Sequence, residues 1–85
     1  MSSRVEWAKR ALKELSRLDR PTQDRIASAV EEFAEDNQGD VRRLQGSSDD
    51  AFRLRVGGWR VIFSHSEDGT ILILRIRPRG DAYKR

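Results

Sequence analysis

Hydrophobic and polar positions alternate most regularly between Phe52 and Phe63, in the run FRLRVGGWRVIF. The run predicts two strands joined by Gly57-Gly58, a two-residue hairpin loop in which both positions tolerate positive φ. That loop sets Val56 opposite Trp59, Arg55 opposite Arg60, Leu54 opposite Val61 and Phe52 opposite Phe63. Successive side chains of a strand point to opposite faces, so Phe52, Leu54, Val56, Trp59, Val61 and Phe63 share one apolar face. The other face carries Arg53, Arg55 and Arg60, diluted only by Ile62. A second tight turn, Glu67-Asp68-Gly69-Thr70, is built on Asp-Gly. It predicts a third strand, with Phe63 opposite Leu74, Val61 opposite Ile76 and Arg60 opposite Arg77. Leu72, Leu74 and Ile76 then join the apolar face, while Ile73, Arg75 and Arg77 join the arginine face. Two turns read independently give one consistent antiparallel sheet.

The period changes in the N-terminal half. From about Ala8 to Leu18 the apolar residues recur at helical spacing, which predicts a helix burying Ala8, Ala11, Leu12, Leu15 and Leu18. Asp19-Arg20-Pro21 breaks it, because proline is tolerated only in a helix's first turn. A second helix from Pro21 to about Asp36 buries Ile26, Val30, Phe33 and Ala34. Asn37-Gln38-Gly39 stops it, with Gly39 suited to the left-handed cap. The two helices form an antiparallel hairpin that packs on the apolar face of the sheet. Ahead of them, Ser3-Arg4-Val5-Glu6 has two readings. It is either a capping box opening the first helix or, with Val5 and Trp7 on one side, a short edge strand. Val41 to Leu44 suits a brief extended lead-in, and Gln45 to Asp50 a polar loop. Pro78 ends the last strand and leaves residues 79–85 as a tail. The expected architecture is α+β, one domain over residues 1–85.

At 85 residues the chain lies near the lower end of sizes that fold without staples, and it has no cysteine for a disulfide or thiolate metal site. No apolar run reaches the length of a membrane span or a signal-peptide core. A cytoplasmic protein with no membrane partner is therefore expected. The net charge of +3 is unevenly distributed. Residues 1–40 hold seven Lys/Arg and nine Asp/Glu, net −2, and residues 41–85 hold ten and five, net +5. Positive charge collects on the half that reads as sheet, as a phosphate-binding surface requires.

Arginines on an exposed sheet face are in most small proteins a solvated surface. Here five fall on one face (Arg53, Arg55, Arg60, Arg75 and Arg77), with Arg60 opposite both Arg55 and Arg77. Like charges facing each other destabilise a sheet, and a polyanion would offset the repulsion. Trp59 and Trp7 read as packing residues. His65, the only histidine, falls at a strand end on the apolar side without metal-ligand partners. The acidic run Glu31-Glu32 and Glu35-Asp36 is most simply the solvated face of a helix. Tyr83, the only tyrosine, suits either anchoring the tail or chemistry. No Ser-His-Asp or Cys-His arrangement and no Gly-rich phosphate loop is present. Acidic residues are sparse near the arginine face, which argues against a two-metal nuclease, and no cofactor is expected. Arginines hold phosphates in bidentate geometry and stabilise the charge of a pentacoordinate phosphoryl transition state. On RNA the 2′-OH supplies the nucleophile, leaving only a base and an acid to be found. Tyr83 is the evident candidate, with a phenol that neighbouring arginines push towards the phenolate.

The string Arg-Leu-Arg-Val-Gly-x-aromatic-Arg-Val-Ile, followed by Arg79-x-x-x-Tyr83, resembles the RelE/ParE superfamily of bacterial and archaeal toxins over nearly the whole chain. The resemblance implies a RelE-like, microbial ribonuclease-type fold: a short N-terminal strand, a two-helix hairpin and a mainly antiparallel sheet, in the order β-α-α-β-β-β. It favours the strand reading of Ser2 to Trp7. RelE-type members are mRNA endonucleases that cut in the ribosomal A site and are silenced by a cognate antitoxin. ParE-type members share the fold, poison DNA gyrase and lack the nuclease residues. The resemblance thus implies a toxin of a type II toxin–antitoxin system. Its implied partners are an antitoxin, in a possible toxin–antitoxin hetero-oligomer, and the ribosome with its mRNA. A ParE-like gyrase inhibitor is the alternative, and a toxin fold that only binds its partner is a third.

Carried over by position, Arg53 and Arg55 match basic residues that contact RNA and ribosomal phosphates, with Arg75 and Arg77 beside them on the same face. Arg60 and Arg79 match the arginines that hold the scissile phosphate and its transition state. Tyr83 matches the C-terminal tyrosine that stacks on or activates the substrate. The sequence departs from the pattern in two respects. Pro78 stands where many relatives have histidine or lysine, and arginines replace the second-strand lysines of RelE-type enzymes. Arginine is a poor proton donor, so the general acid is not assigned by the resemblance.

Overall fold

The computed structural model describes residues 3–44 and 51–78, so the expected loop at Gln45 to Asp50 and the tail from Arg79 onward lie outside the described residues. The chain runs β1 (Val5–Trp7), α1 (Lys9–Ser16), α2 (Arg20–Asp36), β2 (Asp40–Arg43), β3 (Ala51–Val56), β4 (Trp59–His65) and β5 (Ile71–Pro78). The five strands form one sheet in the order β1-β5-β4-β3-β2. β1 lies parallel to β5, and every other pairing is antiparallel.

Between the two readings of the N-terminus, the strand is observed. The Ile71 N–H donates to the Arg4 carbonyl and the Ala8 N–H to the Ile73 carbonyl, each at 2.8 Å. The lead-in before the polar loop is itself a paired strand, β2, which makes one strand more than the expected order. Val41 sits opposite Leu54 and Arg42 opposite Arg53. A four-residue strand with one apolar side chain and two consecutive arginines carries no alternation to read.

The β3–β4 register is the one the Gly-Gly turn predicts, from Val56 opposite Trp59 to Phe52 opposite Phe63. Of the two turn glycines, Gly57 takes positive φ, at 59°, and Gly58 does not. That is the type II′ pattern, so the second position does not need the freedom expected of it. The β4–β5 register begins as expected, with Arg60 opposite Arg77 and Val61 opposite Ile76, and then shifts. Ile62 faces Arg75, but Phe63 faces Ile73, leaving Leu74 as the extra residue of a β-bulge. Ile71 and Ile73, rather than Leu72 and Leu74, therefore enter the core. Four consecutive apolar residues, Ile71-Leu72-Ile73-Leu74, let the register slip without exposing a charge, so alternation could not choose between them.

Both helices lie on the apolar face. Ala11 of α1 and Ile26, Val30, Phe33 and Ala34 of α2 pack with Leu54, Val56, Val61, Phe63, Ile71, Ile73 and Ile76. Phe63 is the hub: its ring lies 5.1 Å from that of Phe33 and 5.5 Å from that of Phe52. Trp7 and Trp59 are half-buried against this core. Leu12, expected inside, is 48% exposed. The inward side of α1 carries Ala11 and Leu15, with Leu18 following just past the helix, which leaves Leu12 on the flank.

The cap of α2 is Asn37 rather than Gly39. Asn37 is left-handed (φ 57°, ψ 29°), and its N–H donates to the Phe33 carbonyl at 2.9 Å. Gly39 instead lies just ahead of β2 at φ 145°, where a Cβ would stand 2.7 Å from Leu54 Cδ1. No side chain fits there without moving a core leucine, so Gly39 lets β2 press against β3. In the β4–β5 turn, Asp68 accepts from the Ser66 hydroxyl and, at 2.9 Å, from the Thr70 N–H. These bonds hold its carboxyl down at about 2. Among the described residues, no helix is long and apolar enough to cross a membrane.

Candidate nucleic-acid interface

The face of the sheet turned away from the helices is ordered by the strand registers. Because Asp40 lies opposite Arg55, Arg55 opposite Arg60 and Arg60 opposite Arg77, these four form one row across β2, β3, β4 and β5. A second row runs Arg42, Arg53, Ile62 and Arg75. Neighbouring strands are about 4.8 Å apart. The rows therefore set guanidinium-bearing positions at a spacing that side chains of this length can bring together on one anion. Arg42 was not among the sequence candidates, because its strand was not recognised as paired; the basic doublet Arg42-Arg43 was the signal available.

Burial separates these arginines. Arg53 and Arg60 are each only 7% exposed, whereas Arg55 lies open to solvent. Holding a guanidinium out of water is costly unless an anion or good acceptors compensate it. Asp40 supplies part of that compensation. Its carboxylate stands 4.0 Å from Arg53 Nη2 and 3.8 Å from Arg55 Nη1, distances of Coulombic contact rather than hydrogen bonds.

Arg75 is engaged elsewhere. Its Nε and Nη2 donate to Glu14 Oε2 at 2.9 and 2.8 Å. The Ile76 N–H donates to the other carboxylate oxygen, Oε1, at 2.8 Å. The geometry follows from the sheet: β1 pairs with β5 only from Ile71 to Ile73, so among the described residues no strand lies along that edge of β5 beyond the bulge. Glu14 of α1 closes that edge. Burial pushes the Glu14 carboxyl up, but the Arg75 and Ile76 hydrogen bonds and the charges of Arg75 and Arg77 outweigh it and hold the carboxyl below its ordinary value.

Of the sequence-predicted site residues, the structure brings Arg53, Arg55, Arg60 and Arg77 onto one face and ties Arg75 to the helix layer. Arg79 and Tyr83 lie outside the described residues. The last described residue, Pro78, faces Trp59 just past Arg77. His65 is the exposed final residue of β4, opposite Ile71 and apart from the arginine rows. Among the described residues no three His, Cys, Asp or Glu side chains converge as a metal-binding group. This face can bind phosphates and stabilise negative charge developing on them.

The comparisons with known proteins agree on one group. The sequence model of the ParE toxin of type II toxin–antitoxin system, parDE, matches residues 5–83. Among solved structures, the archaeal RelE–RelB complex from Pyrococcus horikoshii OT3 contains a chain 32% identical to this one, with a TM-score of 0.78, covering 94% of this chain and 98% of that one. The RelB–RelE antitoxin–toxin complex from Methanococcus jannaschii matches at 25% identity and a TM-score of 0.74, over 93% of this chain and 95% of that one. The intact RelBE toxin–antitoxin complex of E. coli matches in fold, with a TM-score of 0.71 at 18% identity, over 91% of this chain and 96% of that one. No curated protein sequence matches.

Proposed function

The chain belongs to the RelE/ParE superfamily of type II toxin–antitoxin toxins, and from that footing we propose that it is a ribosome-dependent mRNA endonuclease that needs no metal ion. The observation that carries this reading is the row Arg55–Arg60–Arg77 with Arg53 beside it, two of whose guanidinium groups, those of Arg53 and Arg60, are nearly buried. In the reaction, the 2′-oxygen of the codon attacks the adjacent phosphorus and the P–O5′ bond breaks. The 2′ proton is lost to a base, and the departing 5′ oxygen gains one. Arg60 and Arg79 hold the phosphate and meet the charge that grows on its oxygens, where prealigned donors contribute most. Tyr83 stacks on the substrate or exchanges a proton with it. Arg53, Arg55 and Arg77 carry the flanking phosphates, whereas Arg75 is committed to Glu14. A cognate antitoxin is the proposed partner, as RelB is for RelE in the archaeal complexes, and the cytoplasm is the proposed compartment.

A second reading, a ParE-like toxin that inhibits DNA gyrase without cutting RNA, is favoured by the family description that the sequence matches. A charge-reversal variant distinguishes the two. Arg53→Glu with Arg55→Glu should weaken association with ribosomes by at least about tenfold. Binding of the wild type should fall steeply as salt rises, because each phosphate contact releases counterions. Unchanged ribosome binding by a variant with native circular dichroism would remove the arginine face from RNA recognition and leave gyrase as the target to pursue.

A further inference from the structure

Asp40 is out of place on a face built to receive phosphates. It heads the row Asp40–Arg55–Arg60–Arg77, so its carboxylate competes for the guanidinium groups that a polyanion would occupy. Its position is not a by-product of a loose loop. Gly39, at φ 145° and in close approach to Leu54, leads directly into β2 beside β3, and the first pair of those strands is Asp40 with Arg55. The carboxylate then lies within 4.0 Å of one arginine and 3.8 Å of the other, while remaining half exposed (50%). The two arginines differ in what they need from it. Arg53 has a side chain only 8% exposed, and Arg55 one that is 39% exposed and can be solvated. At these distances neither contact is a directional hydrogen bond, so little geometry is lost when a better acceptor arrives.

Resting on the reading that RNA engages this face, we propose that Asp40 is a built-in counter-ion that stands in for an RNA phosphate against Arg53 and Arg55 and gives way when RNA binds. With the face empty, it lowers the repulsion among the arginines and the cost of a buried guanidinium. When RNA arrives, a phosphate placed within hydrogen-bond reach makes the bidentate contacts that Asp40 does not, and the half-exposed carboxylate is left to water. Asp40 thus lowers the affinity of the free toxin for RNA in general. Tight binding is reserved for RNA that makes further contacts, as mRNA presented on a ribosome does. Asp40 sets selectivity, and the chemistry belongs to other residues.

The test uses the full chain and a short single-stranded 2′-O-methyl RNA, which lacks the internal nucleophile and reports binding alone by fluorescence anisotropy. Asp40→Asn should bind about two- to tenfold more tightly at low ionic strength, the worth of one or two weak ion pairs made by a half-exposed carboxylate. Asp40→Ser should show the same gain, and Asp40→Glu should stay near the wild type. The gain should shrink as salt rises and vanish in an Arg53→Ala, Arg55→Ala background. Equal or weaker binding by Asp40→Asn and Asp40→Ser, with native circular dichroism, overturns the proposal. If that occurs while the arginine double variant loses binding, the counter-ion role alone fails. If the arginine double variant also binds like the wild type, the RNA-binding reading of the face fails with it.

Discussion

Arg60→Ala is expected to lower the single-turnover rate of mRNA cleavage on programmed ribosomes by roughly 10²–10³, the usual cost of losing one preorganised donor to a developing oxyanion. Arg60 lies in the middle of its row, between Arg55 and Arg77, and is 7% exposed. A phosphate reaching it is therefore held where water screens little. Most of the loss should fall on the rate of the bound complex, since Arg53 and Arg55, the proposed contacts to flanking phosphates, are left in place. Arg60→Lys keeps the charge but not the planar fork, and should recover only part of the rate. Circular dichroism on each variant separates a lost guanidinium from a lost fold. Cleavage by Arg60→Ala within about threefold of the wild type would strip Arg60 of its role in the transition state.

The second large effect is on stability. Glu14→Ala removes the acceptor of the Ile76 N–H and of two Arg75 nitrogens together. Hydrogen bonds to charged groups are worth about 1.5–3 kcal/mol, and unsatisfied partners left behind add to the loss. A loss of about 2–4 kcal/mol is expected, a large share of the roughly 4–13 kcal/mol available to a chain of this size. That should lower Tm by roughly 10–25 °C. Arg75→Ala should cost less, because Glu14 can still accept from Ile76. The pH dependence has a definite sign. The Glu14 carboxyl lies below its ordinary value of 4.5 in the folded protein. Its stabilisation is therefore complete above that value and is lost as pH falls through the lowered one. Thermal melts of the wild type and Glu14→Gln should differ at neutral pH and converge in acid. A constant gap across that range would show that Glu14 acts through packing alone.

These two residues also mark what the sequence made legible. Arg60 was readable because a two-residue Gly-Gly turn leaves one register, and alternation then assigns every side chain of β3 and β4 to a face. The Asp-Gly turn served less well: the pairings set from it hold only in the half of the hairpin away from the turn, from Arg60 opposite Arg77 as far as Ile62 opposite Arg75. Beyond it, the run Ile71-Leu72-Ile73-Leu74 has no polar member to mark its faces, and the bulge that put Ile73 in the core left no trace in the pattern. Glu14 could not be foreseen, because the need it meets exists only once β1 stops short along β5. Asp40 and Arg42 were missed for a related reason. They lie on a four-residue strand whose identity depends on pairing with β3 rather than on its own periodicity. The helices were legible through their buried stripes, although the cap of α2 went to Asn37 and Leu12 turned outward. Local chemistry placed the elements; contacts between elements placed the carboxylates.

The most direct measurement maps the ends of mRNA on ribosomes programmed with a defined codon in the A site, after addition of the purified wild-type chain. EDTA treatment is confined to the toxin beforehand, because ribosomes need magnesium. The proposed function predicts new 3′ ends within that codon bearing a 2′,3′-cyclic phosphate, the product of 2′-oxygen attack, and none when the same mRNA is free in solution. Intact ribosome-bound mRNA, from a protein that arrests growth and traps gyrase on DNA, would contradict it.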